Sequence, residues 1–133
     1  MKMTRRKLRE TIFLLLFRLE FNTPEELWEQ VDDYFSDRQE IEETDETYIR
    51  DKLKAVISGL SGYDAKIMEI CDGWRISRLG KAELAILRLA VYEILEDEDI
   101  PTGVAINEAV EIAKIYCSEE APRFINGVLA KLA

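Results

Sequence analysis

Residues 5–17 read RRKLRETIFLLLF, with four cations in the first five positions and two phenylalanines, Phe13 and Phe17, farther along. Guanidinium and ammonium groups hold phosphate, and guanidinium does so through paired hydrogen bonds. Aromatic rings stack on unpaired bases, each stack contributing about 1–3 kcal/mol. Cations followed by rings are the side chains that a single-stranded nucleic acid needs. On a helix turning about 100° per residue, Leu8, Ile12, Leu15 and Leu19 share one face and form a core stripe. Lys2, Arg6, Arg9, Phe13 and Phe17 fall on the opposite side, with Arg5 on its flank. A second reading stays open, in which Phe13 and Phe17 are covered by another helix or by a second copy of the chain.

The wider composition sharpens that contrast. The chain has 133 residues and a net charge of −9, yet residues 1–18 carry a net +5. A body this acidic repels polyanions in general, so the basic start implies one local anion site. The apolar run after it is short, is interrupted by Arg18 and Glu20, and leads to no small-residue cleavage site. It reads as a folded helix rather than a signal peptide. There is no histidine, which removes the commonest general base and the usual triads. No P-loop, GxGxxG or HExxH pattern occurs. The two cysteines, Cys71 and Cys117, lack metal-type spacing and read as reduced thiols. No catalytic residue, metal site or cofactor is expected.

Glycine and proline are scarce and no period-2 strand stands out, so the fold class is all-α with about seven helices. Residues 1–133 read as one all-helical domain with two sub-bundles, about 1–62 and 63–133. The first helix is expected over Thr4–Phe21. Thr23-Pro24-Glu25-Glu26 is a capping box with proline at the first helical position, and it starts a second helix that fades near Ser36. Residues 37–46 read as a charged connector. Further helices are expected over Asp45–Leu60, Tyr63–Cys71, Lys81–Leu95, from Pro101 through Cys117, and from Ala121 or Pro122 onward. Trp74, Ile76 and Leu79 are expected to anchor the connection after Asp72-Gly73.

The helix KAELAILRLAVYEIL has a second arc of interest. Leu84, Leu87, Val91, Ile94 and Leu95 cluster as core, while Glu83, Ile86, Leu89, Ala90 and Glu93 form a neighbouring arc of alternating apolar and acidic residues. Such an arc suits a basic protein partner. The competing reading is that the sixth or seventh helix covers Ile86 and Leu89.

The runs LAILRLAVYEIL, DIPTGVAINEAVEIAKIY and RFINGVLAKL resemble the C-terminal signature of the NusB transcription antitermination factors. RRKLRE resembles their arginine-rich N-terminal motif, and GWRISRL their tryptophan-containing segment; the likeness spans about residues 5–132. It implies two small helical bundles and a noncatalytic cytoplasmic factor. That factor would bind boxA RNA of ribosomal leader transcripts together with the ribosomal protein NusE, and through the complex reach other Nus factors and RNA polymerase. It also implies RNA contacts at Arg5, Arg6, Lys7 and Arg9, at Phe17, and at Arg123 and Phe124, with NusE facing Glu83 and its helical neighbours. The chain departs from the family pattern in having Phe17 where tyrosine is common, Leu14 where glutamine is common, and Ala121-Pro122 where small polar residues are common. The added apolar surface at Phe13, Leu14 and Phe17 leaves a homodimer open. A helical adaptor without RNA binding is the alternative function.

Overall fold

The computed structural model describes residues 2–72 and 78–133. Among the described residues there are seven α-helices and no strand. The chain divides into two compact units, Met1–Ile57 and Ser58–Ala133. No helix among the described residues is long and apolar enough to cross a membrane.

Unit 1 holds α1 (Arg5–Phe17), a 3-10 turn over Arg18–Glu20, α2 (Pro24–Ser36) and α3 (Glu43–Ser58). The Thr4 hydroxyl accepts the Lys7 backbone N–H at 3.1 Å and starts α1. The first helix therefore stops one turn short of the expected Phe21, its last turn tightened into 3-10 geometry. The capping box starts α2 as the sequence predicts: Glu26 N–H donates to the Thr23 hydroxyl at 3.2 Å, and Thr23 N–H donates to the Glu26 carboxylate at 2.8 Å. That reciprocal bonding holds the Glu26 carboxyl below its ordinary range. The α3 helix begins two residues earlier than expected, with Glu43, Asp45 and Glu46 all in its first turn, where acids complement the helix dipole.

Unit 2 holds α4 (Leu60–Ile70), α5 (Lys81–Glu96), α6 (Thr102–Tyr116) and α7 (Ala121–Ala130). Gly59 caps α4, and Gly62 lies inside it rather than at a break. Asp72 has φ 52°, the left-handed conformation that aspartate tolerates better than most residues. Lys131 secures this exit, donating to the Ile70 carbonyl at 2.8 Å and to the Asp72 carboxylate at 2.6 Å. The expected anchors Trp74 and Ile76 lie outside the described residues; Leu79 is half-buried.

The α5 helix is buried nearly all round, because α4, α6 and α7 all pack against it. Arg88 on α5 grips Asp64 on α4 with two hydrogen bonds of 2.8 Å each. Leu95, expected inside, is 45% exposed in the last turn of α5.

Candidate nucleic-acid interface

The first turn of α1 contains Arg5, Arg6 and Lys7 and no acid. Cations at the positive end of a helix dipole are misplaced for stability, each costing roughly 0.3–1 kcal/mol. The arrangement works against the helix and concentrates positive potential at its N-terminus, where a phosphate is favoured. Arg5, Arg6 and Lys7 are all exposed, and Lys7 pairs with Glu10 at 3.0 Å.

The segment before α1 is tied down. The Met3 backbone N–H donates to the Asp45 carboxylate of α3 at 2.7 Å, and Asp45 is buried. Lys2 and Arg5 line a small cavity of about 260 Å³ beside Asp45 and Tyr48. Under it, the buried Lys52 donates to the Tyr48 hydroxyl at 2.8 Å.

Two of the expected contact residues turn inward. Phe13 is 1% exposed and Arg9 is 7% exposed. The expectation of a single outward stripe running through both is therefore corrected. The buried arc of α1 takes in Leu8, Arg9, Ile12, Phe13 and Leu16, and extends to Thr11 and Leu15 on its other edge. Sinking a phenylalanine is worth about 1.5–3 kcal/mol, and the inward arc widens to capture it. What faces out is Arg6, Lys7, Leu14, Phe17 and Arg18, with Phe17 and Arg18 half-buried.

The phenylalanines form a ladder from interior to surface. Phe13 and Phe17 have ring centroids 6.2 Å apart, and Phe17 meets Phe21 edge to face at 5.2 Å. Phe21 is 61% exposed. Phe17 is thus braced from behind by a buried ring and keeps part of its own surface open.

In unit 2, Arg123 is exposed and Phe124 half-buried near the start of α7, whose first turn carries Pro122. Glu83 and Phe124, which the sequence assigned to different ligands, line one shallow cavity of about 220 Å³ with Arg78. Glu83 also faces Cys117. Burial, then the Glu83 charge and hydrogen bond, push the Cys117 thiol up to about 11. The partner arc on α5 is corrected: Ile86, Leu89, Ala90 and Glu93 are all buried, the first two as the competing reading has them and the last two beyond it. Glu83 alone of the five stays half-open.

The NusB family model matches residues 6–133. The transcription antitermination protein NusB of Agathobacter rectalis is 47% identical over 131 residues, covering 98% of this chain and all of that protein. The NusB of Lachnoclostridium phytofermentans is 42% identical over 130 residues, covering 98% of each chain. The chain belongs to the NusB family of transcription antitermination proteins. A crystal form of T. maritima NusB superposes with a TM-score of 0.90 at 34% identity, over all of this chain and 92% of that one. A crystal structure of the antitermination factors NusB and NusE in complex with dsRNA matches with a TM-score of 0.80 at 27% identity, over 96% and 94% of the two chains.

Within this NusB-family chain, Arg5, Arg6 and Lys7 of the arginine motif are at the surface, whereas Arg9 is built into the fold. Leu14 is 38% exposed on the same side of the helix. Sequence reasoning missed Asp45, the residue that fixes the arm before α1. Its only signal was an acid at a helix start, a position that dipole complementarity already explains.

Proposed function

We propose that this NusB-family protein binds an unpaired boxA-type segment of leader RNA on the outward side of α1, together with the ribosomal protein NusE. The resulting complex includes other Nus factors and RNA polymerase and supports ribosomal RNA transcription in the cytoplasm. The protein works by binding alone, without catalysis and without a cofactor. Arg5, Arg6 and Lys7 hold phosphates, and Lys2 extends the positive arm. Phe17 offers a ring for base stacking. Phe13 acts from behind by bracing Phe17, and Arg9 by fixing the helix from within. Arg123 and Phe124 supply a second basic-aromatic contact, and Glu83 contributes to the NusE-facing surface.

The single observation that carries this reading is the first turn of α1: three exposed cations at the positive end of a helix, with no acid among them, in a chain of net charge −9. Structural stability alone would not select that placement. The complex of related NusB and NusE proteins with dsRNA supports RNA and NusE as the ligand classes. Phe17 supports a preference for unpaired RNA, since its partly open ring can take a base that has left its stack.

The test is a titration of labelled boxA-like RNA with and without NusE, on the wild-type chain and on Arg6→Glu. Wild type should bind in a strongly salt-dependent way, and the variant should lose at least about tenfold in affinity. Equal affinity of the two proteins would overturn the site. A second reading rests on Leu14 at 38% and Phe21 at 61% exposure, which would suit a homodimer that shields this surface until RNA or NusE displaces it. Sedimentation of the free chain tests that reading directly.

A further inference from the structure

Beside the outward face of α1, unit 1 contains a groove of about 820 Å³. Its size falls within the roughly 300–1,000 Å³ of ordinary ligand sites. Two stretches distant in sequence meet there. Phe17 comes from α1, Arg18 and Phe21 from the turn that follows, and Tyr34 and Arg38 from the end of α2 and just beyond. Lys7 completes the basic side, and Glu40 is the one acid among the lining residues.

The state of the two arginines is the informative feature. Arg38 lies with its guanidinium 3.9 Å above the centre of the Tyr34 ring and donates to the Tyr34 carbonyl at 3.3 Å. Arg18 donates to the Gln30 side-chain oxygen at 3.4 Å. Gln30 in turn donates to Asn22 at 2.9 Å, and Asn22 to the Arg18 carbonyl at 2.8 Å, a closed loop that holds the arginine in place. Both cations are thus positioned by rings, amides and carbonyls, which leave their charge intact. Arg50 in the same unit is instead neutralised by Asp32 and Glu46, both at 2.8 Å. The chain has 27 acids, so a carboxylate for Arg18 and Arg38 was readily available. A positioned pair of guanidiniums that no carboxylate among the described residues grips, next to an exposed ring, is complementary to a polyanion that carries flat bases.

We propose that this groove is a nucleotide site that takes unpaired RNA continuing past the segment held by the first turn of α1. Arg18 and Arg38 grip its phosphates, and a base stacks on Phe21 or on the Arg38–Tyr34 pair. The proposal rests on the RNA reading above and extends it to residues that the arginine motif does not include.

The test uses the full chain and two labelled RNAs: a boxA-like strand, and the same strand extended at both ends with unpaired nucleotides. Arg38→Glu, Arg38→Gln and Arg18→Gln are compared with Arg6→Glu, and melting curves confirm that each is folded. The extended RNA should bind the wild type more tightly. That gain should vanish in the Arg38 and Arg18 variants, Arg38→Glu should bind the extended RNA about tenfold more weakly than wild type, and its salt slope should fall by about 1. If Arg6→Glu abolishes binding while the Arg38 and Arg18 variants match wild type on both RNAs, the groove is not a nucleotide site and the RNA reading stands. If the wild type binds neither RNA, with or without NusE, both fall. If Arg38→Glu spares RNA but disrupts binding to NusE or to a second copy, the groove is a protein surface and the proposal is overturned.

Discussion

The Met3 backbone N–H donates to the buried Asp45 carboxylate at 2.7 Å, pinning the segment before α1 to the first turn of α3. This bond sets where Lys2 and Arg5 stand, so it links the interior of unit 1 to the charge it displays. Asp45→Ala removes a charged acceptor and should cost about 1.5–3 kcal/mol of stability by urea unfolding. Trypsin should then cut after Lys2 and Arg5 faster than in the wild type. RNA affinity should fall several-fold even though no cation has been removed, a loss attributable to positioning alone.

Phe13 and Phe17 are in contact, yet they should respond in opposite ways. Phe13 is fully buried, so Phe13→Ala should destabilise by about 3–5 kcal/mol, whereas Phe13→Leu should keep RNA affinity close to wild type. Phe17→Ala should cost less stability and weaken RNA binding by about 1–3 kcal/mol, the worth of one base stack. Urea melts and RNA anisotropy on the same proteins separate the two.

The bidentate pair of Arg88 and Asp64 joins α5 to α4, with side chains 10% and 23% exposed. Arg88→Met leaves the half-buried Asp64 without its fork, and Asp64→Asn replaces the charged acceptor that Arg88 grips by a neutral one. Each should cost about 1.5–3 kcal/mol by denaturant unfolding. The double variant should cost less than the sum of the two, since the second change removes a group that the first has already stranded.

Cys117 should be a slow nucleophile. With its thiol pushed up to about 11 by burial and then by Glu83, about a hundredfold less thiolate is present at pH 8 than for a thiol at the ordinary 9. Iodoacetamide labelling of Cys117 should accelerate in Glu83→Gln. Because folding raises the thiol's value, its contribution to stability is fully present below pH 9 and is lost as pH rises from about 9 towards 11. Unfolding at pH 8 and pH 10 should differ in that direction for the wild type, and by less in Glu83→Gln.

Local signals in the sequence were legible where the physics is local. Thr23, Pro24 and Glu26 announce a helix start because their bonds close within four residues, and the structure makes both of those bonds. The motif runs around α5, α6 and α7 carry the family directly. A helical wheel, in contrast, gives angles and not neighbours. It put Phe13 beside Phe17 correctly, but nothing in the spacing says how wide an arc the fold will bury, and Phe13 lies just inside the edge. The spacing leaves Ile86 and Leu89 open for the same reason, since their burial depends on three other helices closing around α5. The groove of Arg18, Tyr34 and Arg38 was out of reach altogether. Its residues lie on separate segments, and Arg38 belongs to a charged stretch that reads as a solvated connector.

The central claim is that RNA meets the outward side of α1, and photo-crosslinking tests it most directly. A boxA-like RNA carrying 4-thiouridine is bound to the full chain with NusE, irradiated and mapped by mass spectrometry. Crosslinks should concentrate on the peptide spanning Arg5 to Phe17, and Arg6→Glu should suppress them. Crosslinks confined to α5 and α6, with none on α1 and no change in Arg6→Glu, would contradict the claim.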